Sequence, residues 1–158
     1  MGLMTIFIGC DHGGFLLNED LKAHLARIGH QVRDFGTHST EAVDYPDVAF
    51  LVAQAVSGVL RAGGDGRGII IDSIGQASAI VANKVPGIRA AVGIDTFTVK
   101  SSREHNNANV LCLGGQYHGP GLARHLVEAW LDTSYAGGRH EQRVAKIRDI
   151  EKRFMKDS

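Results

Sequence analysis

The chain has 158 residues, 44% hydrophobic and 22% charged, which suits one soluble domain spanning 1–158 with a core of its own. Seventeen Lys and Arg balance seventeen Asp and Glu, so no general basic field draws nucleic acid or anionic lipid, and an anionic ligand must be held locally. No apolar run approaches the roughly 20 residues of a membrane span. The N-terminus lacks the order of a secretion signal. Cys10 and Cys112 each close a short apolar run, where a thiol serves as core filler, and the expected setting is a reducing cytoplasm.

Short apolar runs alternate with longer helical patterns, the sequence form of repeated βα units around a parallel sheet. Thr5 to Gly9 reads as the first strand, and Leu17, Leu21, Leu25 and Ile28 follow at helical spacing before Gly29. Gln31 to Asp34 makes a short second strand. Asp44-Tyr45-Pro46 opens a second helix whose buried face comprises Val48, Leu51, Val52, Ala55, Val56 and Val59. Gly68 to Asp72 is β-branched through its centre and reads as a strand covered on both faces. Ala90 to Ile94 and Asn109 to Leu113 give strands four and five, with a helix through Phe97 to Arg103 between them. A further helix carries Leu122, Leu126, Val127, Trp130 and Leu131. After Tyr135-Ala136-Gly137-Gly138, a basic terminal helix sets Val144, Ile147, Ile150 and Phe154 on one side.

Ligands of such sheets bind beyond the carboxyl ends of the strands, so the polar clusters at strand boundaries are the candidate site. Cys10-Asp11-His12-Gly13-Gly14 follows strand one; it is either a tight turn with an aspartate cap or an anion cradle. Asp44-Tyr45-Pro46-Asp47 reads on its own as a helix-start device. Asp72, ending an apolar strand ahead of Ser73-Ile74-Gly75, carries a desolvation cost unless it reacts or caps a helix. Ser102-Arg103-Glu104-His105-Asn106-Asn107-Ala108-Asn109 packs acid/base and amide chemistry against strand five, and each of these side chains must find a partner or water. Arg139 and Arg143 lie four apart on one helical face, a spacing that can clamp a phosphate or can be merely solvated.

Five segments resemble, in order and spacing, the family of ribose-5-phosphate isomerase B and galactose-6-phosphate isomerase. They are Ile8-Gly9-Cys10-Asp11-His12, Asp44-Tyr45-Pro46-Asp47, Ala82 to Ala90, Ser102-Arg103-Glu104-His105-Asn106 and Gly137-Gly138-Arg139-His140. The resemblance runs from about residue 5 to 150. It implies a Rossmann-like αβα sandwich, a homodimer or homotetramer with active sites shared between subunits, and a phosphorylated sugar as substrate. It further implies that His105 assists ring opening, that Asp11, Tyr45 and Asn106 hold hydroxyls and the developing oxyanion, and that His12, Arg139 and Arg143 bind the phosphate.

Moving a proton between C1 and C2 of an aldose phosphate requires a base, donors for the enediolate and a clamp for the dianion, and it calls for neither a metal nor a cofactor. The base is where this chain departs from its relatives. Many carry Cys-Gly-Thr-Gly after strand three with the thiol as base, whereas this chain has Asp72-Ser73-Ile74-Gly75. Ser78 stands where other relatives place a glutamate. A carboxylate can serve, so Asp72 is the expected base, with Ser73 and Gly75 beside it as catalytic-loop residues. Ile74 in place of a threonine and Gln116 in place of an arginine leave open a tetrulose, hexose or branched-sugar phosphate, or a non-catalytic sugar-phosphate binder. A dinucleotide module is disfavoured, since no G-x-G-x-x-G follows strand one.

Overall fold

The computed structural model describes residues 2–156. In chain order the elements are β1 (Thr5–Cys10), a 3-10 turn (His12–Gly14), α1 (Phe15–Arg27), β2 (Gln31–Asp34), α2 (Tyr45–Arg61), β3 (Gly66–Asp72), α3 (Gln76–Ala82), β4 (Ala90–Val92), α4 (Thr96–Asn106), β5 (Val110–Gly114), α5 (Pro120–Asp132) and α6 (Arg139–Phe154). All strand pairs are parallel, in the order β2-β1-β3-β5-β4. The central strand β3 carries Ile69, Ile70 and Ile71, each buried, so its two faces feed two separate cores.

On one face Ile6, Ile8, Ile69, Ile71, Leu111 and Leu113 meet α1, α4 and α5, with Trp130 fully enclosed. On the other, Phe7, Ile70, Val110 and Cys112 pack against α2 and α3 through Ala49, Val52, Val56, Ala79 and Ala82. This is a three-layer αβα sandwich of Rossmann-like form. Parallel order requires each helix to return to the amino end of the sheet before the next strand begins, and that polarity decides where the functional residues go.

The structure extends α4 past the predicted Arg103 to Asn106. Asp95 and Thr98 form a capping box at its start, and Asn107 turns left-handed at φ 49° to close it. His105 and Asn106 are therefore the last turn of a helix. Helix α3, seven residues long, is absent from the sequence reading; its N-cap is Gly75, and Asp72, four residues upstream of its first residue, accepts the Ser78 N–H of its first turn. The apolar side of α6 is only partly covered. Val144 and His140 are covered, but Ile147, Ile150 and Phe154 are exposed in the single chain, as are Phe50 and Leu51 of α2.

Candidate active site

Two polar clusters stand at opposite ends of the sheet. The first lies at the carboxyl ends of β1 and β3. Asp11 N–H donates to Ile71 O at 3.2 Å, and Gly115 N–H donates to Asp72 O at 2.7 Å, so the loops after β1, β3 and β5 are stitched together. They also approach too closely for side chains. A Cβ on Gly14 would stand 2.2 Å from Ile71 O, and one on Gly13 would stand 2.4 Å from Ser73 Oγ. Asp11, Tyr45, Asp72, Ser73, Ile74, Gln76 and Ala77 line a cavity of about 380 Å³ here. His12 follows Asp11 in the same turn, with Nδ1 accepting the Val43 N–H at 3.2 Å. In the neutral ring this leaves the proton on Nε2.

The two carboxylates of this cavity are held differently. Asp72, 5% exposed, accepts from Ile74 N–H (2.9 Å) and Gly75 N–H on Oδ1, and from Ser78 N–H (2.9 Å) and Ser78 Oγ–H (2.7 Å) on Oδ2. A carboxylate offers about four lone-pair sites, and these four donors occupy them. Gly75, not Asp72, is the N-cap of α3, but Asp72 takes up the Ser78 N–H of its first turn, and it would have to release a donor before taking a proton. Gly75, at φ 95°, gives its N–H to the same carboxylate. Asp11, 7% exposed, accepts from Gly13 N–H (2.9 Å) and Gly14 N–H (3.2 Å), both on Oδ1. Its Oδ2 accepts from none of the described residues. Burial raises the Asp11 carboxyl above the usual range; His12 opposes the rise, and the neighbouring Asp72 charge adds to it.

The second cluster lies at the amino end of the sheet. Asn106 precedes β5 by only a few residues, and Arg89, which leads into β4, donates from Nε to Asn106 O (3.0 Å) and Asn107 O (3.1 Å). His105 stacks on His140 of α6 with ring centroids 4.3 Å apart and planes at 14°, and its Nδ1 meets Ser101 Oγ at 3.1 Å. His140 is held below the usual imidazole range by burial, then by the nearby His105, Arg139 and Arg143. Arg139 and Arg143 are exposed and make no ion pair among the described residues. Asn106 is exposed as well.

The sequence reading takes these groups together as one candidate site at strand boundaries; the structure brings Asp11, His12, Tyr45, Asp72, Ser73 and Gly75 to the carboxyl ends, and His105, Asn106, Arg139 and Arg143 to the other end. The 11-residue α4, which returns from the carboxyl to the amino end of the sheet, is alone about 16 Å long. Much of the polar run before β5 is structural. Arg103 is buried over Trp130 and donates to Thr133 O and Ala108 O, burial lowering its pKa to about 10. Asn109 bridges Arg89 N–H and Gly87 O. Sequence reasoning assigned no role to Gln76, which lines the cavity, or to His140, whose signal was its place in the Gly137-Gly138-Arg139-His140 segment.

An α/β fold with paired carboxylates at one sheet end and a histidine beside exposed arginines at the other has the parts of a sugar-phosphate enzyme. The family model described as Ribose/Galactose Isomerase matches residues 6–147, and the chain belongs to that family. It is 46% identical over 151 residues to the ribose-5-phosphate isomerase B of Escherichia coli, covering 96% of this chain and 99% of that one. The D-erythrulose-4-phosphate isomerase of Pectobacterium atrosepticum is 38% identical over 146 residues, 92% and 93% of the two chains. The solved ribose-5-phosphate isomerase B of Clostridium thermocellum superposes with a TM-score of 0.90 at 48% identity, over 96% of this chain and 99% of that one.

Proposed function

We propose that this chain interconverts ribose 5-phosphate and ribulose 5-phosphate, and that its active site is completed by a second copy of the chain. The observation that carries the second part is the split of the candidate groups between opposite ends of one sheet. Neither half alone holds a base, a ring opener and a phosphate clamp. Facing the carboxyl end of one protomer with the amino end of another unites them, and the exposed Ile147, Ile150, Phe154, Phe50 and Leu51 supply apolar surface for such packing.

In the joined site, His105 takes the proton of the anomeric hydroxyl and returns one to the ring oxygen, opening the sugar. A carboxylate of the Asp11–Asp72 pair then carries the proton from C2 to C1 through an enediolate. Tyr45, Asn106 and Ser73 hold hydroxyls and the oxyanion, and Arg139, Arg143 and His12 Nε2–H clamp the phosphate. No step calls for a metal or cofactor, and a cytoplasmic location suits the reaction.

Conversion of ribose 5-phosphate by the purified protein without added metal is the test, read with solvent deuterium incorporation at C1 and C2. Turnover with exchange supports the reading; binding without exchange identifies a non-catalytic binder. A four-carbon ketose phosphate is the second reading. It is favoured by the half-exposed Ile74 at the mouth, which offers no hydroxyl to a longer sugar, and is distinguished by a higher kcat/KM for D-erythrulose 4-phosphate.

A further inference from the structure

We infer that Asp11, and not Asp72, is the carboxylate that carries the proton between C1 and C2, and that Asp72 is a positioning residue that fixes the loop and the charge beside it. The inference rests on the isomerase reading above and assigns the base within it.

Three observations converge. Asp72 accepts four hydrogen bonds, two on each oxygen, from Ile74, Gly75 and Ser78, and Ser78 is fully buried. Asp11 accepts two, both on Oδ1, so Oδ2 is left without a donor among the described residues, and the residue lines the same cavity. The backbone that bears Asp11 is docked on the end of β3 through Asp11 N–H to Ile71 O, and Gly13 leaves no room for a side chain against Ser73. One carboxylate is thus held on both oxygens, and the other is held through Oδ1 with Oδ2 available.

Oδ2 of Asp11 takes the proton from C2 of the open aldose; the C–H electrons form the C1=C2 bond and the C1 carbonyl becomes an oxyanion. A proton passes from O2 to O1. The Asp11 carboxyl returns its proton to C1 while O2 collapses to the ketone, and the carboxylate is regenerated. The ionisable groups that face Asp11 are Asp72 at the end of β3, His12 in its own turn and Tyr45 at the start of α2. Burial and the Asp72 charge favour a carboxyl that can hold a proton during the transfer, with His12 opposing.

The test compares Asp11→Asn, Asp11→Ala and Asp72→Asn in the full-length protein, after the wild type has been shown to turn over ribose 5-phosphate or D-erythrulose 4-phosphate. A wild type inactive on both would overturn the isomerase reading, and the base assignment with it. With an active wild type, Asp11→Asn should lose about a thousandfold in kcat and in deuterium wash-out from C2, while calorimetry still detects ribulose 5-phosphate binding. Formate should restore part of the Asp11→Ala activity. In Asp72→Asn the acid limb of kcat/KM should persist and move to lower pH, because a negative neighbour of Asp11 is gone. If Asp72→Asn does not fold, its positioning role is supported and the Asp11 variants decide the rest. Asp11→Asn within about tenfold of wild type, or a folded Asp72→Asn without C2 exchange that formate rescues as Asp72→Ala, would overturn the assignment.

Discussion

Replacing Asp72 by Asn tests the lone-pair accounting through stability alone. The amide oxygen of Asn can keep the Ile74 and Gly75 N–H groups, but its NH2 then points at Ser78, where the carboxylate now accepts both the N–H and the hydroxyl. The hydroxyl can turn and accept from the amide; the Ser78 N–H cannot, and it is fully buried. A buried donor left without an acceptor costs about 1–3 kcal/mol. For a chain of 158 residues each kcal/mol moves the melting temperature by about 2–4 °C, so the midpoint should fall by roughly 4–8 °C for a loss of about 2 kcal/mol. Calorimetry and urea unfolding at one fixed protein concentration measure this, since association would otherwise shift the midpoint. A Ser78→Ala variant should show non-additivity with Asp72→Asn, because the two share one contact. A midpoint within about 1 °C of wild type, with an unchanged urea slope, would refute the argument that this carboxylate holds the loop.

Asp11→Asn should move the midpoint the other way at neutral pH. The Asp11 carboxyl is raised in the fold, so its contribution is fully present below the unfolded value of 3.8 and lost as pH rises through the folded one; Asn removes the ionisation. A melting series from pH 4 to 8 (about the carboxylate-to-neutral range) checks the sign, and a lower midpoint for Asp11→Asn at pH 7 would contradict it. His118 behaves oppositely. Burial lowers its pKa from 6.5, and Nδ1 accepts the Gly114 N–H, so its contribution holds above 6.5 and fades as pH falls through the folded value; His118→Gln should flatten the loss of stability on acidification. Mixing Asp11→Asn with His105→Ala subunits at equal amounts should regain about a quarter of wild-type activity after random exchange, since half the dimers then carry one intact site of two. No recovery after subunit exchange has been verified by mass would rule out sites shared in this way.

How far the site was legible depended on the range of the interactions that build it. The β-branched run from Ile69 to Ile71 could only be a covered strand, and Asp72 at its end declared a polar boundary. Which role Asp72 took was hidden, because two of its four donors come from Ser78, whose position depends on a seven-residue helix too short to leave a clear period. Arg103, Ser102 and Asn109 looked like site chemistry because their partners, Thr133 O, Val99 O and Gly87 O, include contacts brought near only by the folded chain. The location of His105 was available in principle. A helix between two parallel strands ends at the amino side of the sheet, so a histidine five residues before β5 belongs there and not beside Asp11.

That helix polarity also bears on when the protein can work. A newly made or highly diluted protomer would carry its two half-sites at opposite ends of the sheet, so it would have no complete catalytic centre. In the proposed assembly, specific activity would fall on dilution below the dissociation constant of the assembly, and a lag would follow refolding that shortens as concentration rises. Each substitution would also enter every site once, from one side only, so a damaged acid/base half and a damaged phosphate half could coexist in a population and still yield working enzyme.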